Sequence, residues 1–255
     1  MNSGIILAAG RGSRMKSLTE RAPKCLLQLA GKALLDWQVA ALRAAGLKRL
    51  LVVRGYAAEC IIGDFETAEN PRWQQTNMLS TLLCADAFVQ EGFRKGVERV
   101  VVSYSDIVYH PDHARALLCC QNDIAITCDT DWQALWTLRF GDPLLDAESF
   151  KQENGFLKEI GGRPKSLDDV RGQYMGLLSF NKAGWTGLKN LCAELGKEVD
   201  KLDMTAFLRL LLAKNLPIGV VSVSGKWCEA DSETDLESYK RALATGNWFH
   251  DWRWL

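Results

Sequence analysis

Residues 7–26, LAAGRGSRMKSLTERAPKCL, combine a short apolar run with two glycines and a group of basic side chains. Gly10 and Gly12 allow backbone N–H groups to approach a ligand closely, and nearby cations would supply positive charge to an anion. The basic side chains of this stretch include Arg11, Arg14, Lys16 and Lys24. Together these features predict a phosphate-binding loop. The alternative is a tight turn between a strand and a helix, with the basic side chains in solvent.

The spacing of this loop differs from two common phosphate-binding motifs. The dinucleotide-binding pattern G-x-G-x-x-G requires a third glycine at the position where this chain has Met15. The P-loop requires Gly-Lys-Ser/Thr after its glycines, and the sequence does not provide that either. The loop must therefore be interpreted from its own spacing.

The overall composition favours a small anionic ligand over a charged polymer. Among 255 residues, 31 Lys and Arg balance 31 Asp and Glu, so no net charge would attract nucleic acid or an anionic membrane. We see no signal-peptide pattern and no apolar stretch of the ~18 residues that a membrane helix needs, so we expect a cytoplasmic protein. The eight cysteines form no C-x-x-C pair and are expected to be small buried hydrophobic residues rather than zinc ligands.

Strands and helices alternate along the first half of the chain. The hydrophobic pattern predicts strands at 4–9, 48–53, 99–103 and 124–127, and helices at 33–45 and 77–89. This order predicts a mostly parallel sheet with helices on both faces. Ligands of such sheets bind beyond the carboxyl ends of the strands, where the basic loop, Gly55, Asp106 and Asp129 fall.

The second half of the chain has a different pattern. Residues 149–160 predict an antiparallel hairpin that turns at Asn154-Gly155. Further strands are predicted at 172–180 and 217–223, and helices at 183–194, 204–214 and 234–244. Because no linker or repeat interrupts the chain, we predict one α/β domain over residues 1–255. Its mostly parallel mixed sheet is flanked by helices and carries an inserted antiparallel hairpin region.

The full spacing of the N-terminal loop resembles the signature of the nucleotidyltransferases that activate sugar phosphates and related phosphoesters. Their pattern is close to L-A-[AG]-G-x-G-[ST]-R-[LM], followed about ten residues later by a Pro-Lys pair. The matching positions here are Leu7, Ala8, Ala9, Gly10, Gly12, Ser13, Arg14, Met15, Pro23 and Lys24. One position departs from the pattern, because Ser17 stands where a proline is usual.

Later segments are most similar to the small cytidylyltransferases that act on phosphocholine or aminoethylphosphonate. They are NMLSTL at 77–82, SDIVY at 105–109, GQYMGLL at 172–178 and CEADSETDLESY at 228–239. Gln173 replaces the glutamate that is usual in the third of these segments. The resemblance covers nearly the whole chain and implies a single Rossmann-like nucleotidyltransferase domain.

The resemblance also implies a reaction and a set of site residues. A phosphate or phosphonate oxygen would attack the α-phosphorus of CTP and release pyrophosphate. Arg14 would hold the β- and γ-phosphates, Lys24 the α-phosphate, and Asp106 and Asp231 would hold Mg²⁺. The residues expected to bind the nucleotide, besides Arg14, are Leu7, Ala8, Ala9, Gly10, Gly12, Ser13, Gly55, Asn77, Ser80 and Ser105.

The stretch CDTDWQALWTLRFGDPL at 128–144 suggests how an acceptor could be held. Carboxylates and indole rings are the groups with which proteins bind ammonium, which favours an acceptor with an amine at one end. The alternative is that Trp132 and Trp136, four residues apart, form a helix face that packs on the core. The residues expected to bind the acceptor are Asp129, Asp131, Trp132, Trp136, Arg139, Tyr174 and Glu229.

Several alternatives remain at the level of sequence. Aminoethylphosphonate and phosphocholine are the preferred acceptors, and a sugar 1-phosphate or a polyol phosphate is the alternative within the same enzyme class. A non-catalytic nucleotide sensor would keep the loop but could lose Lys24, Asp106 or Asp231, all of which are present. A nucleic-acid binder would need a wider basic patch. The Trp-rich tail near 248–254 could pack on its own domain or form a homodimer contact.

Overall fold

The structure is a computed structural model that describes residues 2–254. Its strands are β1 (Asn2–Ala8), β2 (Gln28–Leu29), β3 (Lys32–Ala33), β4 (Arg49–Arg54), β5 (Glu66–Glu69), β6 (Arg99–Tyr104), β7 (Ile107–Tyr109), β8 (Ile124–Asp129), β9 (Ser149–Glu153), β10 (Phe156–Gly162), β11 (Gln173–Asn181), β12 (Gly219–Val223) and β13 (Trp227–Glu229). Its α-helices are α1 (Leu34–Ala44), α2 (Met78–Leu83), α3 (Asp86–Arg94), α4 (Pro111–Cys119), α5 (Trp132–Phe140), α6 (Lys182–Leu195), α7 (Met204–Ala213) and α8 (Glu233–Ala244).

The main sheet is large and mixed. Within residues 2–254 it has nine strands in the order β5-β4-β1-β6-β11-β8-β12-β10-β9. β1 pairs in parallel with β4 and β6, and β12 pairs in parallel with β8. β11 runs antiparallel to both β6 and β8 and so interrupts the parallel part of the sheet. The predicted α/β fold with a mixed sheet and flanking helices is confirmed. That one domain spans all of 1–255 stays a prediction.

The central strand β1 is buried on both faces. Ile6 and Ala8 pack into one hydrophobic cluster, while Ile5 and Leu7 pack into the cluster on the opposite face. A strand that is covered on both faces forms a continuous apolar run, which explains the sequence GIILA. Because β1 lies between β4 and β6, the glycine loop that follows it begins at the carboxyl edge of the parallel part of the sheet.

A two-stranded ladder outside the main sheet joins distant parts of the sequence. β13 pairs antiparallel with β7, so that Glu229 lies opposite Ile107. Beyond this pair the backbone N–H of Ala230 donates a hydrogen bond to the carbonyl oxygen of Asp106 at 2.8 Å. The ladder therefore brings the segment around residue 230 against the loop that follows β6.

The predicted hairpin is present. β9 and β10 pair antiparallel on either side of Asn154 and Gly155, whose φ angles are 53° and 77°. Positive φ at both central positions is the geometry of the type I′ turn that Asn-Gly favours. The hairpin lies at the edge of the main sheet, next to β12.

The predicted continuous helix at 77–89 is wrong. The segment forms two helices, α2 and α3, with a turn at Cys84 and Ala85 between them. The turn places Asp86 in the first turn of α3, where its carboxylate accepts hydrogen bonds from Trp185 Nε1 and Lys189 Nζ. A carboxylate is favourable at a helix N-terminus, so these contacts stabilise a second helix start within an otherwise helical pattern.

The aromatic tail packs on its own domain. Trp252 is fully buried and meets the ring of Trp37 edge-on, with 5.8 Å between the ring centroids. Trp248 stacks on Tyr239 of α8 at 5.3 Å. These contacts support the first of the two alternatives considered for the tail, while a homodimer stays a prediction.

The cysteines differ in exposure more than their sequence contexts suggest. The buried ones are Cys25, Cys128, Cys192 and Cys228. Cys60 and Cys119 are exposed, so the expectation that the cysteines are buried holds for only part of the set.

None of the helices in the described part of the chain is both long and apolar enough to span a bilayer.

Candidate active site

A cavity of about 300 Å³, here called the nucleotide cavity, opens at the carboxyl ends of β1 and β6. It brings together most of the residues predicted to bind a nucleotide, a phosphate or a metal. Those that line it are Leu7, Ala9, Gly10, Gly12, Ser13, Arg14, Lys24, Asn77, Ser105, Asp106 and Asp231. Residues that sequence reasoning missed also line it, namely Trp73, Thr76, Met78, Thr81 and Tyr104.

Gly12 has a conformation and a neighbour that require glycine. Its φ is +75°, in the left-handed region that side chains rarely adopt. A Cβ built on Gly12 would lie 2.6 Å from the Cβ of Lys24. Because residue 12 has no side chain, the side chain of Lys24 can pack directly against the loop and reach the cavity.

Lys24 joins the two aspartates that the sequence predicts as metal ligands. Its Nζ lies 2.8 Å from Asp106 Oδ2 and 2.5 Å from Asp231 Oδ1. Arg14 pairs with the other oxygen of Asp231, although its own side chain is largely exposed. Lys24 is 7% exposed, so its ammonium and the two carboxylates form a partly desolvated cluster.

The charges of this cluster depend on one another. Burial alone would lower the pKa of Lys24, but the carboxylates of Asp106 and Asp231 raise it above its usual value. Burial would raise the pKa of Asp231, but Lys24 and then Arg14 hold it below its usual value. The lysine is therefore an ammonium and Asp231 is a carboxylate at neutral pH.

Glu229 is a third carboxylate beside the two aspartates. One oxygen from each of Asp106, Glu229 and Asp231 lies within 4.8 Å of the others. Burial, followed by the nearby Asp231 and Asp106, raises the pKa of Glu229 to about 7 even though Arg139 opposes the shift. Three carboxylates this close in space favour a cation between them.

Arg139 was predicted to bind the acceptor, but its guanidinium is already paired with two carboxylates of the chain. Its side chain is buried on α5, where Nη1 donates to Glu229 at 2.9 Å and Nε donates to Asp235 at 3.2 Å. Because both carboxylates neutralise this buried guanidinium, it supports the wall of the site and is not free to hold an acceptor's phosphonate.

Two carboxylates at the end of β8 were predicted to bind an amine, but they form hydrogen bonds with other parts of the chain. Asp129 is fully buried and accepts hydrogen bonds from Trp227 Nε1 at 2.7 Å, Gly225 N at 3.0 Å and Asp131 N at 2.9 Å. Asp131 accepts a hydrogen bond from Ser224 Oγ at 2.7 Å. Both therefore tie β8 to the segment that precedes β13, and the geometry does not support their proposed contact with an acceptor.

The paired tryptophans are part of the core, as the alternative interpretation had it. Trp132 and Trp136 lie on α5, each 4% exposed, with ring centroids 6.0 Å apart. Trp132 is not among the described residues that line either cavity of the site. Trp136 does line the second cavity, so it combines a core position with one face towards the site.

Three other predicted nucleotide contacts lie outside the lining of the nucleotide cavity. Ser80 donates a hydrogen bond to Asp200 Oδ1 at 2.9 Å and lines a separate surface depression. Gly55 packs against Ala9, whose carbonyl oxygen would lie 2.6 Å from a Cβ at that position. Ala8 is buried beneath the loop in the core.

A second cavity of about 220 Å³, here called the acceptor cavity, adjoins the nucleotide cavity. The two share the lining residues Arg14, Tyr104 and Asp231. The predicted acceptor residues Trp136, Tyr174 and Glu229 line it. Sequence reasoning missed Asp146 and Glu148, which also line it, because they lie in an irregular segment between α5 and β9 that has no periodic pattern.

Comparison with known proteins shows the family of this chain. Residues 4–172 match the family model described as the MobA-like NTP transferase domain. A CTP:phosphoglutamine cytidylyltransferase of Campylobacter jejuni is 32% identical over 248 residues, covering 92% of this chain and 98% of the relative. A 2-aminoethylphosphonate cytidylyltransferase of Lancefieldella rimae is 30% identical over 120 residues, covering 45% of this chain and 49% of the relative.

A solved structure shows the same fold across nearly the whole chain. It is the inositol-1-phosphate CTP transferase from T. maritima, with a TM-score of 0.70 and 19% identity, and the match covers 94% of this chain and 96% of that one. The family resemblance deduced from the glycine loop is thus confirmed by the family model, by relatives and by fold. The chain belongs to the MobA-like NTP transferase family and is an enzyme of the nucleotidyltransferase class.

Proposed function

We propose that this enzyme transfers CMP from CTP to a small phosphorylated or phosphonate acceptor that bears an amine, and that it releases pyrophosphate with Mg²⁺ as cofactor. One observation carries the proposal. Arg14, Lys24 and three carboxylates meet where the nucleotide cavity joins the acceptor cavity. This is the place where an acceptor oxygen would have to meet the α-phosphorus of a bound nucleotide.

The relatives support cytidylyl transfer and vary in acceptor. The Campylobacter jejuni and Lancefieldella rimae relatives are described as cytidylyltransferases for phosphoglutamine and 2-aminoethylphosphonate. A choline-phosphate cytidylyltransferase of Streptococcus pneumoniae matches over 55 residues at 40% identity. Each of these acceptors combines a phosphorus oxyanion with a nitrogen group, which is the class we propose for this chain.

The proposed reaction forms one bond at phosphorus and breaks another. An oxygen of the acceptor phosphate forms a new P–O bond at the α-phosphorus, and the bond between the α-phosphorus and the pyrophosphate oxygen breaks. Both reactants are anions, so the barrier depends on bringing them together and neutralising their charge. The attacking oxygen is already ionised at neutral pH, so the site needs no general base.

Arg14 and Lys24 supply the positive charge in this proposal. The Arg14 guanidinium is largely exposed and lines both cavities. It can therefore form hydrogen bonds with the β- and γ-phosphates, which leave as pyrophosphate. The buried Lys24 ammonium lies deeper, where it can contact the α-phosphate and the incoming oxygen. Fixed cations matter most where negative charge increases in the transition state.

The carboxylate cluster fits a magnesium ion. Asp106, Glu229 and Asp231 offer the oxygen ligands that Mg²⁺ prefers, and Asp106 Oδ1 is buried with no hydrogen-bond partner among the described residues. Asp106 and Asp231 would hold the ion, with Glu229 beside them. When bound, Mg²⁺ would supply positive charge that offsets the negative charge of the phosphates.

The first experiment measures pyrophosphate release with Mg²⁺ for each of the four ribonucleoside triphosphates. Each is paired with aminoethylphosphonate, phosphocholine, phosphoethanolamine and glucose 1-phosphate. We expect release with CTP and an amine-bearing acceptor. Release with glucose 1-phosphate alone would favour the sugar-phosphate alternative, and binding of CTP without release from any pair would favour a nucleotide sensor.

A further inference from the structure

The acceptor cavity carries unbalanced negative charge. Asp146 and Glu148 line it, and neither forms an ion pair with any residue in 2–254. Among the described lining residues the sole cation is Arg14, which already pairs with Asp231. Burial, and then the neighbouring Asp203 and Asp146, raise the pKa of Glu148. Two unpaired carboxylates in a concave site favour a cationic ligand.

The aromatic wall of this cavity includes an indole N–H without a hydrogen-bond partner among the described residues. Trp136 lines the cavity and is 4% exposed, yet its indole N–H has no acceptor among the described residues. Tyr174, another lining residue, meets the ring of Tyr104 edge-on, with 5.8 Å between the ring centroids, and its hydroxyl hydrogen-bonds with that of Tyr104. Buried polar groups are rarely left unsatisfied, so the Trp136 N–H is available to an acceptor oxygen of a ligand.

Gln173 fixes the position of Glu148. Its Oε1 accepts a hydrogen bond from the backbone N–H of Glu148 at 3.2 Å, and its Nε2 donates to the carbonyl oxygen of Glu148 at 2.6 Å. The Nε2 also donates to the carbonyl oxygen of Gly172 at 3.0 Å. Only an amide side chain can both accept and donate in this way, since an ionised glutamate has no donor. The clamp therefore depends on the glutamine at this position.

We propose that the acceptor cavity selects acceptors with a primary ammonium group, which Glu148 and Asp146 bind directly and for which Gln173 is a positioning residue. The inference rests on the proposed function, which places the phosphorus end of the acceptor at Arg14 and Lys24. A primary ammonium donates three hydrogen bonds, and carboxylates accept them. A quaternary ammonium donates none and depends on aromatic faces alone, so it is the poorer acceptor here.

The test compares acceptors in matched pairs: ethylphosphonate lacks only the amine of 2-aminoethylphosphonate, and phosphocholine differs from phosphoethanolamine only in its quaternary ammonium. Pyrophosphate release is measured with CTP and 2-aminoethylphosphonate, ethylphosphonate, phosphoethanolamine or phosphocholine, for the wild type and for Glu148→Gln, Asp146→Asn and Gln173→Glu. The matched control is Glu153→Gln, an exposed carboxylate on the neighbouring hairpin. Glu148→Gln should raise the KM for 2-aminoethylphosphonate at least about tenfold, as expected for the loss of a charge-assisted hydrogen bond. The ratio of the KM values for 2-aminoethylphosphonate and ethylphosphonate should therefore rise in Glu148→Gln and keep its wild-type value in Glu153→Gln.

Gln173→Glu separates positioning from a general structural effect. It should raise the KM for 2-aminoethylphosphonate but leave the KM for CTP unchanged, because Gln173 contacts Glu148 and Gly172 and does not line the nucleotide cavity. Equal losses with the aminated and the plain phosphonate, or no loss in Glu148→Gln and Asp146→Asn, would overturn the inference. So would a clear preference of the wild type for phosphocholine over phosphoethanolamine.

The inference can fail separately from the proposed function. If no acceptor gives pyrophosphate, the proposed function fails, and calorimetry with 2-aminoethylphosphonate and ethylphosphonate then tests the cavity directly. Tighter binding of the aminated probe that is lost in Glu148→Gln would support the ammonium site. Equal affinity for the two probes, or no binding of either, would overturn it.

Discussion

Replacing Lys24 by methionine tests the central charge cluster. The change keeps most of the side-chain volume but removes the ammonium that contacts Asp106 at 2.8 Å and Asp231 at 2.5 Å. Removing one partner of a buried ion pair costs about 3–5 kcal/mol, because it leaves a buried charge uncompensated. Asp231 keeps its contact with Arg14, so we expect the lower end, about 3 kcal/mol.

This loss should be visible as a lower melting temperature in metal-free buffer. For a chain of this size 1 kcal/mol corresponds to roughly 2–4 °C, so Lys24→Met should melt about 6–12 °C below the wild type. Mg²⁺ should then stabilise the variant more than the wild type, since the cation would replace the missing ammonium between the carboxylates. Differential scanning fluorimetry over a range of Mg²⁺ concentrations measures both effects, and Lys48→Met, at an exposed lysine, is the control.

Activity gives an independent readout of the same variant. Loss of one fixed cation at the reacting phosphate should lower kcat/KM about 10²–10³-fold. A variant that melts with the wild type and responds equally to Mg²⁺ would refute the cluster as described. A variant with full turnover would refute the role proposed for Lys24.

Four further outcomes are expected. Asp231→Ala and Asp106→Ala should each abolish Mg²⁺-dependent pyrophosphate release while circular dichroism shows an intact fold, and full activity in either would contradict the metal assignment. Gly12→Ala should lower turnover and cost about 1 kcal/mol or more of stability, measured by urea unfolding, because φ at this position is +75°. Ser80→Ala should leave the KM for CTP unchanged but lose about 1 kcal/mol of stability with its hydrogen bond to Asp200; a raised KM would return Ser80 to the nucleotide site. Burial lowers the pKa of His113 to about 3, so the unfolded chain binds a proton more readily than the folded one below about pH 6.5. Stability should therefore fall as the pH drops from about 6.5 towards 3, by up to about 1.4 kcal/mol per pH unit from this group, and His113→Leu should show a smaller slope in urea titrations.

Prediction from the sequence succeeded where the signal was local. The spacing around Gly10 and Gly12 indicated the loop, because glycine is the residue that most readily adopts positive φ, as Gly12 does, and lets a backbone approach another group closely. The turn at Asn154-Gly155 was predictable for the same reason. Residues close in sequence are connected by a short length of backbone, so their spacing alone restricts how they can be arranged in space.

Contacts between distant segments were beyond the reach of these patterns. Asp106 and Asp231 were each found by motif, yet the bridge that Lys24 makes between them depends on the pairing of β13 with β7. Hydrophobic periodicity shows which face of an element is buried, but it does not show which partner buries it. The cluster is therefore a product of tertiary packing.

The acceptor side shows this limit most clearly. Asp129 has the residue type and strand-end position of a ligand, but three donors from the chain itself satisfy its carboxylate. Glu148 lies in a segment without a periodic pattern, and only folding places it in the acceptor cavity beside Asp146. The sequence by itself determined the family, the glycine loop and the motif carboxylates, because these are local patterns. The tertiary structure decided which charged side chains are paired within the fold and which line a cavity without a partner. The neutralisation of a charged side chain depends on its neighbours in space, and the order of residues along the chain does not reveal them.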